Sequence, residues 1–195
     1  MVAAGVPYGN GETVFNEHFR SAWLQTPSAL SYLEDGENLV PSIHVVDLAR
    51  LVKTVCEKKP ETQYLMAIDC AEDRRQKTLV ECISKGIGTG EAASIPKPVW
   101  VDREEPPAGQ AFLLDQMWQS TLLLNLNALP SALLVGKGGE EEAPPEFDWH
   151  CRGGLSENIA IVKEEFCKVR HLKPIKIFVT GPPLSGKSYF SAKLA

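Results

Sequence analysis

An α/β fold is predicted from three features of the sequence. Short apolar, β-branched runs alternate with segments of helical period through the first half, the pattern of strands feeding crossover helices. Near the end, a glycine-rich loop sits between a further apolar run, 175–180, and a helix-like segment. Between these parts, 136–146 is acidic and broken by glycine and proline, the composition of an exposed connector.

Each element follows from local chemistry. Segment 14–24 has helical character and follows the turn-forming Gly9-Asn10-Gly11. Residues 40–46 read as a short strand or extended segment. Asp47 is expected to cap the next helix, because a carboxylate there accepts an otherwise unpaired backbone N–H. In that helix Leu48, Leu51, Val52, Val55 and Cys56 fall at helical spacing and predict one apolar face. Residues 64–69, after a Lys-Lys-Pro break, predict a buried strand. Residues 78–85 predict a helix stopped by Gly86, the residue type that tolerates a helix C-terminus. Residues 97–101 read as a short strand, and 112–126 is apolar enough to pack against something substantial. Beyond the connector, Ser156 is expected to cap a helix whose Ile159, Val162, Phe166 and Val169 share a face. That face docks within the chain by default, and Pro174 closes the helix before the strand 175–180.

Composition narrows the function classes. The chain has 195 residues, 44% apolar and 23% charged, which suits one to two globular domains. Its formal charge of −5 and the lack of a basic stripe argue against a nucleic-acid surface. No apolar run approaches the roughly 18 residues of a membrane span, and the start has no secretory pattern. The five cysteines, Cys56, Cys70, Cys82, Cys151 and Cys167, show no CxxC pair and read as free thiols of a reducing, cytoplasmic compartment. His44 lies in an apolar segment and reads as a satisfied core histidine. His150 beside Cys151 suggests a thiolate–imidazole pair, with no third group placed by the sequence. Trp100, Trp118 and Trp149 read as packing anchors.

The loop itself, Gly181-Pro182-Pro183-Leu184-Ser185-Gly186-Lys187-Ser188, has the spacing G-x-x-x-x-G-K-S. Glycines at its ends let successive backbone N–H groups turn inward around phosphate oxygens, and the following helix adds unpaired donors and its positive dipole end. Lys187 would reach the β- and γ-phosphates, and the Ser188 hydroxyl would ligate Mg²⁺.

This loop resembles that of the adenylate kinases, where the run usually reads Gly-Gly-Pro-Gly-Ser-Gly-Lys-Gly-Thr. Gly181, Pro183, Ser185, Gly186 and Lys187 fall on matching positions; Leu184 replaces a glycine, Ser188 a glycine and Tyr189 the threonine. The resemblance implies a P-loop kinase domain of which this chain holds the first strand, the loop and the helix start. It implies ATP with Mg²⁺ at Gly181, Pro182, Pro183, Leu184, Ser185, Gly186, Lys187, Ser188 and Tyr189, with Lys187 the catalytic cation and Ser188 the metal ligand.

Residues 1–105 resemble instead the C-terminal half of an extended short-chain dehydrogenase/epimerase domain, a Rossmann-like fold. The residues that carry this are Val6-Pro7-Tyr8-Gly9 and Ser42-Ile43-His44-Val45-Val46-Asp47-Leu48-Ala49. Neither the G-x-x-G-x-x-G turn nor the Tyr-x-x-x-Lys pair of that family is present, so NAD(P) and hydride transfer are not expected here. The expected organisation is a partial epimerase-like region at 1–135, a linker at 136–155, and a linker helix with the start of the kinase domain at 156–195.

The pairing of the two is similar to the ciliary adenylate kinases that carry an epimerase-like region. That resemblance implies ATP + AMP ⇌ 2 ADP, other axonemal proteins as partners and an axonemal location. Arginine clamps, an acceptor pocket and a lid follow the loop in that family. The chain is thus expected to be part of a longer protein and inactive alone. A docking module of a ciliary assembly, without catalysis, is the alternative.

Overall fold

The short strands in the first half of the chain all pair in parallel. β1 (Val2–Ala4) lies beside β5 (Leu65–Ala67), with Val2 opposite Leu65. β2 (Val6–Tyr8) lies beside β4 (Ser42–His44), with Val6 opposite Ser42. β3 (Leu30–Leu33) lies beside β6 (Ala92–Ile95), with Leu30 opposite Ala92. Parallel pairing demands crossovers, and helices α1 (Asn16–Leu24), α2 (Val45–Lys58) and α3 (Gln76–Ile87) supply them. This is the α/β architecture expected. The computed structural model describes residues 1–11, 14–96, 125–135, 147–172, 178–182 and 184–194. The expected strand at 97–101, most of the apolar segment 112–126 and the connector 136–146 lie outside these.

Two apolar clusters hold the elements together. The larger joins Tyr8, Phe19, Leu30, Leu79 and Ile83 to Leu155, Val162 and Phe166. The last three come from α5 (Gly154–Glu157) and α6 (Ile159–Val169). Phe19 and Phe166 meet with ring centroids 5.3 Å apart, and the Arg170 guanidinium covers Phe166 at 4.4 Å. The smaller cluster sets Ile43, Leu51 and Ala67 against Phe147 and Leu134, the latter on α4 (Ala132–Val135). Docking within the chain, the default for the 159–169 helix, is what occurs: α6 packs on the large cluster.

Several sequence expectations are corrected. Asp47 does not cap α2. The helix starts at Val45, and the imidazole of His44 takes the cap, accepting the Val46 N–H on Nδ1 at 3.2 Å. Asp47 is released for other bonds and is fully buried. On α2, Leu51 is buried and Leu48 and Val55 pack on the small cluster, but Val52 and Cys56 face solvent. That cluster is too narrow to cover the whole stripe.

Gly86 does not stop α3, which continues to Ile87. A Cβ at Gly86 would overlap Ile159 Cγ1, and Lys163 Nζ bonds the Gly86 carbonyl at 2.9 Å. The glycine is there to admit α6. Ser156 caps nothing; it sits inside α5, and α6 starts after Asn158 without a side-chain cap. Val162 and Phe166 are buried as expected, while Val169 is exposed. Strand β6 went unanticipated because Ala-Ala-Ser-Ile has no apolar alternation. For the expected strand 175–180, residues 178–180 carry no strand pairing and Phe178 is 86% exposed. Among the described residues no strand lies beside it to supply partners.

Helix propensity favours alanine over glycine by about 1 kcal/mol, but close packing on Ile159 reverses the sign. Gly86→Ala is expected to destabilise the chain by about 1–3 kcal/mol in urea unfolding, and a stabilised variant would refute the close approach.

His18 on α1 is enclosed, and burial pulls its pKa down from 6.5 to about 4. The folded chain thus binds fewer protons than the unfolded chain between those values. The stability this gives is complete above pH 6.5 and lost as pH falls toward 4. Between pH 7 and 5 the contribution is about 2 kcal/mol. Thermal melts of His18→Gln are expected to show a pH dependence flatter by about that amount.

Candidate functional site

The loop predicted to hold phosphate closes on itself. Ser185 N–H bonds the Pro182 carbonyl at 3.3 Å, and a Cβ on Gly181 would come within 2.8 Å of Ser185 Oγ. Lys187 opens helix α7 (Lys187–Leu194) and turns back across the loop. Its ammonium donates to the carbonyls of Gly181 and Pro182 at 2.8 and 2.7 Å. Gly186 enters the helix at φ +77°, and Leu184 adopts φ +65°. A β-carbon in the left-handed region costs about 1 kcal/mol, and the exposed Leu184 side chain gains no packing in return. This explains in physical terms why glycine suits that position. Pro182, Ser185 and Ser188 are exposed, Tyr189 is 60% exposed, and Pro183 lies outside the described residues. Tyr189 packs on Phe190 edge-on, with Lys193 over its ring at 4.9 Å.

A second constellation forms where α2, the 150–151 corner and α6 meet. Because His44 Nδ1 accepts from Val46, its proton sits on Nε2, which donates to Glu165 Oε2 at 2.9 Å. His150 Nε2 meets Glu165 Oε1, also at 2.9 Å, and Asn10 N–H adds a third bond to Oε2 at 2.9 Å. Burial alone would raise the Glu165 carboxyl; the bonds from His44 and His150 outweigh it and hold it below the ordinary value. Asp47 accepts the backbone N–H groups of His150 and Cys151 at 2.6 and 2.9 Å. Asp69 takes the Ser42 hydroxyl at 2.9 Å and the Ala71 N–H at 3.2 Å. Burial still pushes it up to about 6, and the Tyr8 hydroxyl beside it is raised by its own burial and by Asp69. Gly9 is required here: its φ is +82°, and a Cβ would overlap His44 Nε2.

The Cys151 thiol faces this group and is fully buried. Burial, then Asp47, Glu165 and Asp69, push its pKa up to about 12. It is therefore a thiol at neutral pH, which rules against the thiolate–imidazole nucleophile suggested by the His150-Cys151 sequence.

No family model matches the sequence. Over 198 aligned residues, 100% of the chain, it is 36% identical to adenylate kinase 7 of Mus musculus and covers 29% of that protein. It is 33% identical over 196 residues to adenylate kinase 7 of Macaca fascicularis, covering 33% of it. Over its whole length the chain is similar to adenylate kinase 7. It spans about a third or less of the length of these curated relatives. Among solved structures, a human epimerase family protein crystallised with NADPH aligns at 22% identity with a TM-score of 0.37. The alignment covers 50% of this chain and 31% of that one.

In this chain the loop residues come together, as a contiguous motif must. The second constellation brings together residues that sequence reasoning left apart or passed over. Its key carboxylate, Glu165, lies 121 positions from His44. The one available signal was helical period: Glu165 sits beside the apolar Val162 and Phe166 and therefore at the edge of the docking face.

Removing the Glu165 carboxylate leaves two imidazoles and the Asn10 N–H without their acceptor. Glu165→Ala is expected to lower stability by about 2–3 kcal/mol at pH 7. The depressed pKa makes this contribution complete above the ordinary glutamate value of 4.5 and lost as pH falls below it. Wild type and variant should therefore converge in acid; a difference that persists there would mean that packing, not charge, is responsible.

Proposed function

We propose that the loop Gly181–Ser188 cradles the phosphates of ATP and that the chain is part of an adenylate kinase catalysing ATP + AMP ⇌ 2 ADP. The observation that carries this is the position of Lys187: its ammonium already spans the loop mouth, bonded to the Gly181 and Pro182 carbonyls. An entering phosphate exchanges those neutral acceptors for charged oxygens, which bind the ammonium more strongly. Helix α7 directs its N-terminal N–H groups and positive dipole end toward the same place. Ser188, exposed in its first turn, is the proposed Mg²⁺ ligand. Gly181, Pro182, Pro183, Leu184, Ser185, Gly186 and Tyr189 complete the proposed contact set. Mg²⁺ would neutralise charge on the phosphates; Lys187 would hold and orient them.

The similarity to adenylate kinase 7 over the whole chain supports the reaction class. Work in the cytoplasm of motile cilia, at the axoneme and beside other axonemal proteins, belongs to the same proposal. So do a partial Rossmann-like, epimerase-like region at residues 1–135 and the kinase-domain start within 156–195. A docking role without catalysis is the second reading. It is favoured by the exposed aromatics beside the loop, Phe178, Tyr189 and Phe190, which belong to neither apolar cluster.

Calorimetry of the chain with ATP and Mg²⁺ separates the two. Micromolar binding is expected, weakened at least tenfold by Lys187→Ala, while Leu184→Gly tightens it up to about fivefold by removing backbone strain. Absence of binding, or binding indifferent to Lys187→Ala, would sink the nucleotide reading for this loop and leave docking.

A further inference from the structure

The group at the seam of α2 and α6 has the donors of a metal site. We propose that His44, His150, Cys151 and Glu165 bind one divalent transition-metal ion of the zinc class. The ligand atoms of His44, His150 and Cys151 all lie within 4.8 Å of one another. The Glu165 carboxylate stands 2.9 Å from Nε2 of each imidazole. A tetrahedral ion with bonds of about 2.0–2.3 Å sets its ligands roughly 3.3–3.8 Å apart. Among His44, His150 and Cys151 no pair must close by more than about 1.5 Å, and the imidazole–carboxylate pairs must open slightly, which side-chain rotation can supply.

The donor chemistry matches the ion. Two imidazole nitrogens, one sulfur and one carboxylate oxygen form a set that zinc accepts and that hard cations such as Mg²⁺ do not. Binding balances as follows: Cys151 releases its S–H proton to solvent, and each neutral imidazole carries its proton on Nδ1 and coordinates through Nε2. Thiolate and Glu165 then provide two negative charges for the ion's two positive ones. For this, His44 moves its proton from Nε2 to Nδ1 and gives up both its bond to Glu165 and the long 3.2 Å bond from Val46 N–H in exchange for coordination. The ring turns so that the two N–H groups do not meet.

The surroundings are built to hold such a ligand set. Asp47 fixes two adjacent ligand residues by accepting both their backbone N–H groups, which holds the corner that carries them in place. The His150 side chain is 30% exposed while that of His44 is fully enclosed, so His150 marks the path in.

The test uses Co²⁺ as a spectroscopic probe and Zn²⁺ as the competing ion. One equivalent of Co²⁺ is expected to give a thiolate-to-cobalt charge-transfer band and intense visible bands of tetrahedral cobalt, both bleached by Zn²⁺. Cys151→Ser should lose the charge-transfer band, and His150→Gln should weaken Co²⁺ affinity at least tenfold. Zinc should raise the melting temperature of the wild type and of neither variant, with circular dichroism showing that both variants fold without metal. No band and no zinc shift in the wild type would overturn the proposal. The same response in Cys151→Ser would also overturn it, because the other four thiols would then be the ligands. If Cys151→Ser does not fold, His150→Gln, at a partly exposed position, decides alone, and unchanged affinity there refutes the site.

Discussion

The carboxylate of Glu165 is the contact on which the rest of the structure depends. From α6 it reaches across to the strand ends, and it does so with both oxygens. His44 at the end of β4, His150 at the corner before α5 and the Asn10 N–H after β2 all converge on it. Three segments far apart in sequence are thereby fixed to one side chain. Backbone geometry has adapted to it: Gly9 must lack a side chain so that His44 can pass. The apolar contacts of Val162 and Phe166 supply the driving force for docking α6, and Glu165 sets its register.

A buried group of this polarity survives only because its acceptors are satisfied. Asp47 and Asp69, both fully buried, and Glu165 at their edge carry the negative charge, and each meets donors of matched geometry. The bonds to Asp47 come from backbone N–H groups, whose dipoles are held by the fold. Asp69 is less well compensated, which is why burial dominates its pKa while the hydrogen bonds on Glu165 outweigh burial there. The polar group thus gives specificity to a seam that hydrophobic packing alone would leave free to slide.

The sequence carried the local half of this. Apolar runs at 40–46 and 64–69 announced β4 and β5, and helical spacing announced α2 and α6, because strand and helix periods are written in neighbouring residues. The loop was legible for the same reason: its eight residues act together and are contiguous. Where meaning depended on a distant partner, the local reading failed. Gly86 looks like a stop signal and is a clearance for Ile159; Asp47 looks like a cap and is an acceptor for a corner 103 residues away. Each rule of thumb was sound in isolation and was overridden by a tertiary contact. His44 was rightly read as a satisfied buried histidine, yet nothing in its neighbourhood named Glu165 or Cys151 as its company.

The two candidate sites differ in how they are supported. The histidine cluster is locked into the large apolar core, whose packing extends to Leu172. Residues 178–182 and 184–194, by contrast, contribute to neither cluster, and the loop's described hydrogen bonds are among its own residues. A phosphate cradle gains its strength from N–H groups held rigidly before the ligand arrives. In the structure the Lys187 ammonium ties the limbs of the loop through two carbonyls, while Leu184 strains against the same closure. Any nucleotide affinity of the chain is therefore a contest between one charged tether and one misfitted side chain. Packing another surface against Phe178, Tyr189 and Phe190 would tilt that contest by rigidifying the loop without touching the phosphate.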